Sequence, residues 1–160
     1  MQKAVFLDRD GVINHDPGDY TTNVKDFILL PDVIETLQRF QNLGFQLFVI
    51  TNQGGIAKGM YTHEAFKAID DYMHSQLKAN HILISETFYC PHHPDFGRCL
   101  CRKPLSGLVL KAIAKYKINP ALSYMVGDKE RDIICAENAG VKGILIPTNS
   151  SIGFISNLIK

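Results

Sequence analysis

Short apolar runs alternate along this chain with longer stretches in which apolar residues recur every three or four positions. Ala4-Val5-Phe6-Leu7 is a continuous apolar run of strand length. Val33, Ile34, Leu37, Phe40 and Leu43 then fall at helical spacing, and Gly44 stands where a glycine would close that helix. Gln46–Ile50 reads as a second strand. Thr62 is placed to cap a helix that carries Phe66, Ile69, Met73 and Leu77 on one face. Three further strands are predicted at Ile84–Tyr89, Tyr124–Val126 and Gly143–Ile146. Helices at Leu105–Lys117 (apolar at Leu108, Ile113 and Tyr116) and Asp132–Ala139 separate them, and Gly140 stops the second. Residues 11–31 are polar and rich in turn formers and read as a loop or small hairpin, and residues 51–59, with three glycines, read as a loop.

Strands that are nearly continuously apolar, each followed by a helix, argue for an α/β fold. Its centre is a parallel sheet with helices on both faces, a three-layer, Rossmann-like sandwich. The 160 residues suit one domain spanning 1–160. In such sheets ligands bind beyond the carboxyl ends of the strands. The polar residues just after each strand therefore carry most of the functional information.

Composition narrows the partners. Lys and Arg number 17 against 16 Asp and Glu, a formal charge of +1, which is a poor coat for a polyanion. Nucleic acid is not an expected partner. No apolar run approaches the ~20 residues of a membrane helix. Met1-Gln2-Lys3 leads straight into the first strand, leaving no apolar region of a signal peptide. A cytoplasmic protein without a membrane partner is expected. Cys90, Cys99 and Cys101 crowd into one short loop while Cys135 stands alone on a predicted helix, where it reads as a core thiol.

Three strand-end segments and one that precedes a helix could carry chemistry. Asp8-Arg9-Asp10-Gly11 offers two carboxylates that can share Mg²⁺ or divide nucleophilic and acid–base roles; it is equally a charged turn. Thr51-Asn52-Gln53-Gly54 suits a phosphate cradle, though threonine is ordinary at a strand end. Arg102-Lys103-Pro104 offers two cations before a helix. In Gly127-Asp128-Lys129-Glu130-Arg131-Asp132, Asp128 and Asp132 can face one metal, or favour the dipole of the helix that follows. The loop 90–101 adds a C-x-H…C-x-C pattern suited to tetrahedral Zn²⁺, with Cys90, His92, Cys99 and Cys101 as ligands and His93 as the alternative imidazole. Four protein ligands leave no open position for water, so the zinc is expected to be structural. The spacing lacks the ~12-residue separation of a DNA-binding finger. The loop runs directly into Arg102-Lys103 and so can fix where those cations point.

Taken together and in order, the motifs DRDG, VITNQ, the RKP lysine and GDKERD resemble the haloacid dehalogenase superfamily of phosphotransferases, over residues 4 to about 147. The resemblance implies a Mg²⁺-dependent phosphatase without a cap domain. Asp8 would attack phosphorus to form an aspartyl-phosphate. Asp10 would protonate the leaving oxygen and then activate water. Thr51 would bond a phosphoryl oxygen, and Lys103 would neutralise charge and hold Asp8. Asp8, the Asp10 carbonyl and Asp128 would hold Mg²⁺, with Asp132 in support. The zinc loop and the stretch TNQGGIAKGMYTHEAF further resemble the D-glycero-D-manno-heptose-1,7-bisphosphate 7-phosphatases and their relatives, the histidinol-phosphate phosphatases. The first group implies a lipopolysaccharide-precursor step in carbohydrate metabolism. The eight residues between Cys90 and Cys99 make a short loop, nearer the second group. Asp16, Asn52, Gln53, Gly54, Arg102 and Lys129 are the expected substrate contacts, with Arg102 suited to a second phosphate. A phosphoacceptor regulatory domain is the alternative of another class; it needs neither Asp10 nor the zinc loop. The protein is expected to act as a monomer on a small phosphorylated molecule.

Overall fold

The computed structural model describes residues 2–159. In chain order the elements are β1 (Lys3–Leu7), α1 (Val33–Asn42), β2 (Phe45–Asn52), α2 (His63–Ala79), β3 (Ile84–Cys90), α3 (Gly107–Tyr116), β4 (Tyr124–Gly127), α4 (Glu130–Asn138) and β5 (Lys142–Leu145). The strands form one sheet in the order β3-β2-β1-β4-β5, and every pairing is parallel.

The two-residue period of a strand sorts the core into two layers. Val5, Leu7, Leu47 and Val49 point to one face, where they meet Val33, Leu37 and Phe40 of α1 and Ile69, Met73 and Leu77 of α2. Ala4, Phe6, Phe48 and Ile50 point to the other, against Leu108, Val109 and Ala112 of α3 and Cys135 and Ala136 of α4. Ala4 to Leu7 are fully buried, which is why β1 takes the centre of the sheet. Each large apolar side chain so buried contributes roughly 1.5–3 kcal/mol. Cys135 lies in this core, as expected for a structural thiol.

Boundaries shift where pairing or capping decides them. β2 runs on to Asn52 because Thr51 pairs with Tyr89 and Asn52 with Cys90, so both residues belong to the strand rather than to the predicted loop. Leu43 follows the last turn of α1 and is 39% exposed, outside the apolar face assigned to it. Gly44 takes the predicted left-handed conformation at φ +85° and closes the helix through a bond from its N–H to the Gln41 carbonyl. Thr62 caps α2, its hydroxyl accepting from the Ala65 N–H at 3.1 Å. α4 begins two residues before the predicted start, because the Asp132 carboxylate accepts from the Lys129 N–H at 3.0 Å and so caps it.

The connections that follow β1 and β2 stay small. Residues 8–32 carry a single turn of 3-10 helix at Val24–Asp26, and residues 53–62 carry turns. The carboxyl ends of β1, β2 and β4 therefore open onto one uncapped cleft.

Candidate active site

Asp8 leaves the end of β1 with its N–H bonded to the Val126 carbonyl of β4 at 3.0 Å, so two adjacent strands fix its position. Its Oδ1 accepts from the Arg9 N–H at 2.8 Å and pairs with Lys103 Nζ at 2.9 Å. Lys103 is only 2% exposed. Its Nζ reaches Asp132 at 2.7 Å and donates to the Ile50 carbonyl at 2.7 Å, so all three ammonium protons have partners. Burial works against the charge on Lys103, but Asp8 and Asp132 outweigh it and raise the ammonium's pKa.

The turn after β1 brings Asp128 alongside. Gly11 has φ +87°, and a Cβ there would fall 2.6 Å from Asp128 Oδ2; only glycine permits this approach. Asp128 Oδ2 accepts from the Thr148 hydroxyl at 2.6 Å, whereas its Oδ1 is buried without a hydrogen-bond partner among the described residues. Asp8, Asp128 and Asp132 offer oxygens within 4.8 Å of one another. Burial, opposed by Lys103 and reinforced by Asp132 and Asp128, pushes the Asp8 carboxyl up to about 7. Three buried carboxylates against one buried ammonium leave surplus negative charge. Together with the orphaned Asp128 oxygen, this donor set fits a hard divalent cation held by oxygens.

Asp10 sits in a dense web. It accepts from Arg9 Nη2 at 3.0 Å, Asn14 Nδ2 at 2.9 Å, the Thr21 hydroxyl at 3.1 Å and Gln53 Nε2 at 3.1 Å. Burial raises its pKa, but the Arg9 guanidinium and the Asn14 and Gln53 donors prevail and hold it below the usual carboxylate range. Thr51 is buried at the end of β2, and its hydroxyl accepts from Gln53 Nε2 at 2.9 Å. Asp8, Asp10, Asp16, Thr51, Asn52, Asp128 and Lys129 all line one cleft.

Two expected substrate contacts are engaged inside the protein instead. Gln53 is 1% exposed, its amide committed to Asp10, Thr51 and the Tyr61 hydroxyl. Asn52 lines the cleft, but its side chain is tied at both ends to the Lys103 backbone, at 3.0 and 3.1 Å. The Gln53 amide is thus held against Asp10, and the Asn52 amide against the backbone of Lys103. Lys129 is directed at Thr148 (2.9 Å) and Asp128 (3.3 Å) on the cleft wall. Asp16 accepts from the Gly18 N–H at 2.9 Å in a tight turn at the cleft rim. Asp132 lies against Lys103 and the start of α4.

The Cys/His loop closes on itself. Cys90 Sγ lies 2.9 Å from Cys101 Sγ and 3.7 Å from Cys99 Sγ; His92 Nδ1 lies 3.5 Å from Cys90 and 3.2 Å from Cys101. A Zn–S bond of ~2.3 Å gives tetrahedral edges of about 3.8 Å. The cluster has that composition and nearly that size, and its cysteines are free thiols. His93 is not part of it: its Nδ1 accepts from the Asp95 N–H at 3.2 Å. The His92 carbonyl accepts from Arg102 Nη1 at 3.0 Å, which couples the loop to the basic pair. Gly54 lets the β2 loop come close, since a Cβ there would meet Arg102 and His93 at 3.0 Å.

Beside the cleft, and sharing Asp19, Tyr20, Asn52 and Arg131 with it, lies a polar cavity of about 390 Å³. Lys58, Arg102 and Arg131 line it. Sequence reasoning picked out Arg102 alone. Arg131 stood inside the GDKERD motif, three residues beyond Asp128, where helical spacing could have placed it on the cleft side. Lys58 carried no such signal.

The HAD-hydrolase-like family model matches residues 100–152. A D-glycero-beta-D-manno-heptose-1,7-bisphosphate 7-phosphatase of Haemophilus ducreyi is 40% identical over 158 residues, covering 94% of this chain and 86% of its own. The chain belongs to the haloacid dehalogenase superfamily of phosphatases. Within this superfamily it is also similar to the corresponding 7-phosphatase of Vibrio cholerae, at 41% identity over 93% of this chain and 83% of that one. A crystal structure of D,D-heptose 1,7-bisphosphate phosphatase from B. bronchiseptica, complexed with magnesium and phosphate, superposes with a TM-score of 0.87 at 33% identity, covering 98% and 87% of the two chains. The protein is thus an enzyme, a phosphoric monoester hydrolase, which disposes of the regulatory-domain alternative. No helix among the described residues is long and apolar enough to cross a membrane.

Proposed function

We propose that this phosphatase removes the 7-phosphate of D-glycero-D-manno-heptose 1,7-bisphosphate through an aspartyl-phosphate on Asp8. The observation that carries the choice of substrate is the cavity lined by Lys58, Arg102 and Arg131 next to the Asp8 cleft. A single phosphate ester needs one anion site; a bisphosphate needs a second, and three cations around one cavity meet that need. The names of the relatives agree with this reading.

Asp8 attacks phosphorus in line with the ester oxygen while Lys103 and Thr51 balance charge on the phosphoryl oxygens. Asp10 gives a proton to the departing sugar oxygen. It then takes one from the water that cleaves the acyl phosphate. Its low pKa makes the base step the resting state; arrival of a phosphate dianion, a like charge, favours protonation and readies it for the acid step. Mg²⁺, held by the Asp8 and Asp128 carboxylates and the Asp10 carbonyl, supplies neutralisation between nucleophile and phosphate when bound. Zn²⁺ on Cys90, His92, Cys99 and Cys101 would be structural, fixing the turn that carries Arg102 and Lys103.

Histidinol phosphate remains the second reading, supported by the short loop between Cys90 and Cys99 and by Asp16 and Asp19 at the rim, which suit an amine. The deciding measurement is kcat/KM for both substrates, with Arg102→Ala beside wild type. The bisphosphate should be preferred, and Arg102→Ala should cost it at least tenfold more than a sugar monophosphate. A tenfold preference for histidinol phosphate, about 1.4 kcal/mol of discrimination, would overturn the assignment.

A further inference from the structure

Arg9 is the largest of the fully buried side chains, with no exposed surface. A guanidinium out of water is costly unless a partner meets its charge. Among the described residues every side-chain hydrogen bond that Arg9 makes goes to Asp10: Nε to Oδ1 at 3.3 Å, and Nη2 to Oδ1 at 3.2 Å and Oδ2 at 3.0 Å. Behind it the guanidinium carbon lies 5.5 Å from the centre of the Phe66 ring, which holds the group's flat face. Phe66 belongs to the buried face of α2, so the fork is mounted on the core rather than on a loop.

The pattern of donors is uneven across the Asp10 carboxyl. Oδ1 accepts from Arg9, from Asn14 Nδ2 at 2.9 Å and from the Thr21 hydroxyl at 3.1 Å, which saturates it. Oδ2 accepts only from Arg9 Nη2 and from Gln53 Nε2 at 3.1 Å. The Asp10 side chain is 23% exposed and faces the cleft, while Arg9 is sealed behind it.

We propose that Arg9 is a positioning residue for proton transfer: its buried fork bonds both carboxylate oxygens and so fixes the plane of the Asp10 carboxyl at the cleft, where it exchanges the proton with the ester oxygen. The inference rests on the assignment of Asp10 as acid and base given above. In the step concerned, a bond forms from Asp8 to phosphorus, the bond from phosphorus to the sugar oxygen breaks, and the proton on the Asp10 carboxyl passes to that oxygen. A lysine would keep the positive charge but lack the two-pronged geometry.

A change that only loosened the fold would slow all substrates alike. Misplacing the Asp10 carboxyl should slow most the substrates whose leaving oxygen needs a proton. The test compares kcat/KM for a sugar phosphate, whose alkoxide leaves poorly, with that for 4-nitrophenyl phosphate, whose phenolate leaves unaided. Arg9→Lys should lose at least tenfold more on the sugar ester than on the aryl ester. Arg9→Gln, which keeps a donor and no charge, should show the same sense and serves if the lysine variant does not fold. Asp10→Asn is the control. If Asp10→Asn discriminates between the esters and the Arg9 variants do not, the positioning role is wrong. If Asp10→Asn itself fails to discriminate, the acid assignment beneath it has failed.

Discussion

Replacing Lys103 with methionine keeps the length of the side chain and removes its charge. Lys103 is buried and answers two carboxylates, Asp8 at 2.9 Å and Asp132 at 2.7 Å. Taking one partner out of a buried ion pair costs about 3–5 kcal/mol, because the charge left behind stays in the low-dielectric interior. At roughly 2–4 °C per kcal/mol for a chain of this size, the melting temperature should fall by about 6–20 °C. The loss must also depend on pH. Asp8 is already pushed up to about 7, and the variant removes the cation that opposed this rise. A carboxyl raised in the folded state favours folding below its ordinary pKa and loses that contribution as pH climbs through the folded value. The deficit of Lys103→Met against wild type should therefore be smaller near pH 5, where Asp8 is protonated, than at pH 8. Denaturant unfolding with EDTA present, at both pH values, measures it. Adding Asp132→Asn to Lys103→Met should recover at least ~1 kcal/mol, since the surplus carboxylate is then gone. A deficit under ~1 kcal/mol at pH 8, or one equal at both pH values, would refute the account of this buried triad.

Asp8→Asn should leave the fold intact and reduce phosphate release below a few per cent of wild type, as steady-state assays would show. In metal-free buffer the same variant should be more stable than wild type above pH 7, because wild type loses stability as pH rises toward the raised Asp8 value and the amide does not titrate. Protein purified without chelators should carry one zinc per chain by elemental analysis, and Cys101→Ser should lower both zinc content and melting temperature. EDTA should stop turnover, and added Mg²⁺ should restore it. Sedimentation equilibrium should return a monomer near 17.9 kDa.

Most of the fold was legible in the apolar pattern. Ala4–Leu7 could only be a buried strand, and the heptad-like spacing of Phe66, Ile69, Met73 and Leu77 marked a helix; all four of those residues are buried. Boundaries were less legible, because pairing partners such as Tyr89 and Cys90 lengthen β2 through contacts remote in sequence. The site residues came into view as motifs, yet their duties did not. Asn52 and Gln53 sit in a motif suggestive of a ligand, but geometry gives their amides to Lys103 and Asp10. Arg9 stands between two carboxylates in the sequence, where nothing local foretells its complete burial. Lys58 reaches the basic cavity only because the turns at 53–62 fold back over the sheet end.

The modest connections after β1 and β2 set the tempo of catalysis. With one 3-10 turn in residues 8–32 and only turns in 53–62, neither connection among the described residues carries a helical or sheet domain over the cleft. Closure of a large cap is the step that limits turnover in many enzymes, and a cleft bounded by short connections would leave chemistry and phosphate release to set the rate. The shielding that a mobile lid gives other enzymes would then have to come from the substrate itself, whose bulk would plug the mouth of the cleft.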